Sequence, residues 1–103
     1  MTPEMKKMCE AACRDFDKKL LNALIEKIIE DKTTTLNLKQ IFPQYSPNDI
    51  ISLLEESGWD AEWDGDNGWE QDTWYSLSHE KYEDTLTLSY SGYYWTMSLY
   101  VSY

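Results

Sequence analysis

The spacing of apolar residues changes once along this chain, at Gly58. Before it they recur every three or four positions, which is helical spacing. After it they recur every second position, which is strand spacing. A fold must therefore combine a helical part, 1–58, with a sheet part, 59–103. At 103 residues both parts belong to one domain, spanning 1–103, with a single modest core.

The first helix starts at Thr2-Pro3-Glu4, a hydroxyl N-cap, a proline in the first turn and an acid near the positive end of the dipole. Apolar residues follow at Met5, Met8, Cys9, Ala12, Cys13, Phe16, Leu20, Leu24 and Ile28, widened later by Leu21, Ile25 and Ile29. This spacing predicts one long amphipathic helix over about 3–31, with the stripe packed on the core. Cys9 and Cys13 would be small buried residues on that stripe. Their parallel side-chain directions disfavour a disulfide between them. Thr33-Thr34-Thr35 ends the helix. Asn37 with Gln40 predicts a cap for a short helix over 38–42, which Pro43 stops. Ser46-Pro47-Asn48-Asp49 opens a second full helix over 47–57, and Gly58 suits the position after its last turn.

Beyond Gly58, four segments alternate apolar with polar residues, and they predict four antiparallel strands with one buried and one open face. Residues directly opposite share a face, so parity restricts the turns. A three-residue loop Asp66-Asn67-Gly68 pairs Trp63 with Gln71 and Trp59 with Tyr75. It also sets Asp64 opposite Glu70, Glu62 opposite Asp72 and Asp60 opposite Trp74. A two-residue loop Ser91-Gly92 pairs Tyr90 with Tyr93, Leu88 with Trp95 and Leu86 with Met97. The expected fold is α+β: one long N-terminal helix and one or two short helices on a four-stranded antiparallel meander. The order of elements resembles winged-helix ordering: long helix, short Thr-rich strand, short helix, second helix, hairpin.

Charge is distributed unevenly. Residues 1–39 hold 7 acids and 8 bases, and residues 40–103 hold 12 acids and 1 base. No basic residue lies between Lys39 and Lys81, a stretch that contains four of the five tryptophans. Asp60, Glu62, Asp64, Asp66, Glu70 and Asp72 would line the first hairpin, with Trp74 beside them. A carboxylate row of one sign selects basic partners. Like charges facing one another on a sheet destabilise it by a few tenths to about 1 kcal/mol each. Direct binding to nucleic acid is disfavoured, because it requires Lys or Arg on the phosphates. The helix over 47–57, which would enter a groove in a winged-helix protein, has Asp49, Glu55 and Glu56 and no base.

Other chemistry is poorly supported. Asp60-Ala61-Glu62-Trp63-Asp64-Gly65 resembles the start of an EF-hand loop. However, Glu at the third position, Asn67 at the eighth and Gln71 at the twelfth depart from it. Two cysteines and a distant His79, read as a solvated loop residue, do not make a zinc site. No nucleophile elbow, phosphate loop or dinucleotide fingerprint occurs. The expected protein has no catalytic residue, no metal site and no cofactor. No apolar run is long enough for a membrane span and no secretory leader pattern occurs, which predicts a cytoplasmic protein.

The functional expectation is a small acidic inhibitor, not an enzyme. It would block a basic, nucleic-acid-binding surface of another protein as a nucleic-acid mimic. By size and composition it is similar to the counter-defence proteins of phages and other mobile elements. The alternatives are an immunity protein or antitoxin against a cognate toxin, such as a nuclease, and, of another class, a structural or regulatory protein that self-associates through its aromatic C-terminal strand, for instance as a homodimer. The interface would be the acidic face, or a hydroxyl-rich one that includes Thr87, Thr96 and Tyr100.

Overall fold

The computed structural model describes residues 2–68, 72–92 and 96–102. Helix α1 spans Pro3–Glu30, strand β1 Leu36–Asn37, helix α2 Leu38–Ile41 and helix α3 Pro47–Glu56. Strands β2 (Asp60–Asn67), β3 (Asp72–His79), β4 (Tyr82–Ser91) and β5 (Thr96–Val101) follow. The fold is α+β, with a five-stranded antiparallel sheet in the order β1-β5-β4-β3-β2. The fifth strand, β1, is two residues long and pairs Leu36 with Leu99. Two residues are too few to show alternation. The threonine run before it instead folds onto Asp31, whose carboxylate accepts from the Thr33 and Thr34 hydroxyls and the Thr33 N–H. Those bonds hold the Asp31 carboxyl below its ordinary range.

The caps expected from sequence form. Thr2 accepts from the Met5 N–H and Asn37 from the Gln40 N–H. Ser46 and Asp49 make a reciprocal capping box. The Ser46 N–H and hydroxyl both donate to Asp49, which lowers its carboxyl pKa.

All three helices lie on one face of the sheet. Leu21, Ile25 and Ile28 of α1, Leu38, Phe42, and Ile50, Ile51, Leu53 and Leu54 of α3 are buried together with Trp59 and the inward residues of the strands. Those inward residues form cross-strand rows: Leu77–Leu86–Val101 and Tyr75–Leu88–Leu99–Leu36.

Two expectations about packing are overturned. The stripe of α1 does not pack along its length. Met5, Met8, Cys9, Ala12, Cys13 and Phe16 are exposed, and burial starts at Leu21. Both cysteines are exposed free thiols. The reason is rotation around the helix: at about 100° per residue, Leu21, Ile25 and Ile28 lie about half a turn from Met5, Met8, Ala12 and Phe16. On the side facing the body, the N-terminal half carries Arg14, paired with Glu56, and Asp17, which accepts from the Tyr45 hydroxyl at 2.6 Å.

Both hairpin registers also differ from expectation, by four residues in the second and by four up to Trp63, then five beyond the bulge, in the first. Trp63 opposes Tyr75 instead of Gln71, and Leu86 opposes Val101 instead of Met97. Strand β2 ends at Asn67 and β3 starts at Asp72, while β4 ends at Ser91 and β5 starts at Thr96. A shift by an even number keeps side chains on their faces, so parity could not detect it; only beyond the bulge, where the shift is odd, does a residue such as Asp66 change face. Strand β2 is bulged between Trp63 and Gly65, where Gly65 has φ of 141°.

Candidate functional site: the open face of the sheet and its acidic edge

Among the described residues, no strand residue from the face opposite the helices belongs to the hydrophobic core. Three rows cross that open face. Glu62 opposes Ser76, which opposes Thr87, which opposes Tyr100. Gly65 opposes Trp74, which opposes Ser89, then Ser98. Asn67 opposes Asp72, then Ser91, then Thr96. Asp60 opposes Ser78 at the far end of β2. The acidic residues and the hydroxyl-rich residues were expected as rival surfaces. They form one continuous surface, acidic at the β2 edge and neutral towards β5.

The structure separates the predicted site residues. Asp60, Glu62, Asp72 and Trp74 share the open face. Asp64 sits at the bulge without a cross-strand partner, and Asp66 opposes Thr73 on the helix-facing side. Glu70 and the Asp64–Glu70 pair lie outside the described residues. The other like-charge pair does not form: Glu62 faces Ser76, Asp72 faces Asn67, and Asp60 faces Ser78 rather than Trp74. The shifted register removes the expected Glu62–Asp72 repulsion and sets serines opposite Glu62 and Asp60.

Asp60, Glu62, Asp64 and Asp66 are all exposed on β2, an edge strand. Among the described residues, no ion pair reaches Asp60, Glu62, Asp64, Asp66 or Asp72; the four bridges present lie elsewhere. The EF-hand-like segment is extended strand. Its alternate acids stand about 6.5–7 Å apart along the strand and do not converge on one ion. Trp74 is half-buried on a face whose neighbours across the strands are Gly65 and Ser89. Trp74 is the one large ring in its row.

Sequence reasoning missed the role of His79. It is no solvated loop residue. Its ring packs edge-on to Trp59 at 5.1 Å and against Tyr82 at 5.5 Å. The Lys81 N–H donates to Nδ1 at 3.0 Å, so Nε2 carries the hydrogen and donates to the Ser57 carbonyl, also at 3.0 Å. The signal was parity: His79 continues the helix-facing series Tyr75, Leu77.

No protein-family model, curated protein or solved structure matches the chain. Among the described residues, no helix is long and apolar enough to cross a membrane.

Proposed function

We propose that this protein is a non-enzymatic inhibitor that docks its acidic sheet edge on a basic, nucleic-acid-binding surface of another protein and occludes it. The observation that carries the reading is the acidic edge strand β2: Asp60 and Glu62 share the open sheet face with Trp74, Asp64 stands exposed at the bulge beside them, and among the described residues no ion pair reaches any of the three. Carboxylates on a strand can replace phosphates opposite Lys and Arg, and an indole can fill the place of a stacked base. The hydroxyls of Ser76, Thr87 and Ser89 supply adaptable contacts next to both. A net charge of −10 repels nucleic acid itself, so the target is protein. The reading needs no cofactor and puts the protein in the cytoplasm, where such targets work.

The test is affinity capture from a host lysate with the wild type and with Asp60→Asn/Glu62→Gln in parallel. The protein captured should compete with duplex DNA for the inhibitor, and the double variant should retain little of it. Equal capture by both, or a captured protein that binds DNA unhindered, contradicts the proposal. A captured nuclease toxin would make the chain an immunity protein using the same surface.

A further inference from the structure

Helix α1 is 28 residues long, about 42 Å at 1.5 Å per residue, in a molecule whose longest dimension is 46 Å. Its N-terminal half carries an apolar stripe pointing away from the body, with Met5 55%, Met8 72% and Phe16 66% exposed. Scattered exposed apolar residues need no explanation, but these form one line at helical spacing, continued by Cys9, Ala12 and Leu20.

We propose that this stripe is a homodimer interface, in which the α1 arms of two copies pair antiparallel. Three features select a second copy as the occupant. The first is charge. Two chains of net charge −10 repel through their sheet edges, yet residues 2–20 hold four acids and five bases. The arm is the part of the surface where two copies can meet without like-charge repulsion. The second is shape. Ala12 sits between Met8 and Phe16, so an antiparallel pair centred on Ala12 brings small against small and sets each Phe16 beside Met8 of the other copy. A shallow hollow of about 410 Å³, lined by Ala12, Cys13, Phe16, Asp17 and Gln44, runs alongside to receive the long side chains. The third is area. The stripe offers roughly 500 Å² per chain, so a pair buries about 1,000 Å², at the lower end of specific interfaces. A dimer of micromolar affinity is expected, held by apolar contact.

The test is sedimentation equilibrium of the full chain over low to high micromolar concentration, in low and high salt. The mass should rise towards twice 12.2 kDa in both. Phe16→Glu and Met8→Glu should each weaken dimerisation at least about tenfold. Neither side chain belongs to the core, so far-UV circular dichroism should be unchanged, and so should the melting midpoint measured at concentrations below those at which the wild type dimerises. A monomer at every concentration, a dimer that dissociates in high salt, or one that tolerates both variants overturns the proposal. So does a monomer that floats with phosphatidylserine vesicles, which would assign the stripe to a membrane surface.

Discussion

Gly58 has φ of 94°, and a carbon added at its Cβ position would lie 2.7 Å from His79 Nε2. Two demands meet at one residue: a left-handed C′ position after α3, and close approach of the ring that bonds Ser57. Gly58→Ala should destabilise the fold by at least about 1–2 kcal/mol from the backbone conformation alone. Urea unfolding measures it, and an unchanged midpoint would mean that the His79 contact does not constrain the turn. Tyr45 offers a second test. Its hydroxyl donates to the Asp17 carboxylate, and that bond, with burial, raises its pKa from 10.0 to about 12. The folded state therefore keeps its phenol proton above the unfolded pKa. The resulting stability is complete below about pH 10 and is lost as pH rises through 12. Tyr45→Phe should abolish that alkaline loss in thermal melts from pH 9 to 12. Gly58 was legible in the sequence as a helix stop. For the histidine beneath it parity indicated only the helix-facing side; nothing local to residues 79–84 reveals that the ring packs back on Trp59.

The strands were legible through alternation, and so were their faces. Leu77, Leu86, Leu88, Met97, Leu99 and Val101 all face the core as their parity required. Their registers were not legible, since a slip of four residues leaves alternation intact. Only turn chemistry could have distinguished the registers, and Asn67-Gly68 and Ser91-Gly92 each read as a tight-turn signal for the wrong one. The long helix was likewise legible in extent, Pro3–Glu30. Its packing was not, because two apolar stripes on opposite sides read in sequence as one broad stripe. The last strand carries a direct test. Leu99 and Val101 are buried, and Leu99 bridges Leu88 to Leu36 of the edge strand. Deleting residues 99–103 removes side chains worth roughly 1.5–3 kcal/mol each and the partner of β1, and should unfold the domain. A melting point within a few degrees of the full chain would contradict the assignment of β5 to the core.

The molecule has three distinct regions: a near-neutral helical arm, a shared core, and a bare sheet face with an acidic edge. The radius of gyration, 14.5 Å, exceeds the roughly 13 Å expected of a compact chain of this length, as the protruding arm requires. The acids of β2 have a second physical role, since charge on an edge strand blocks pairing with another sheet edge. Function and edge protection predict different outcomes. Asp60→Asn/Glu62→Gln should leave stability within about 0.5 kcal/mol, since both residues are exposed and face serines. The decisive measurement is the association rate of that double variant with its captured target across a salt series, beside the wild type. The account predicts slower association, a flatter salt dependence and a little-changed dissociation rate, whereas Trp74→Ala should accelerate dissociation. An association rate and salt slope equal to those of the wild type would contradict it, and leave the β2 acids as guards of a sheet edge.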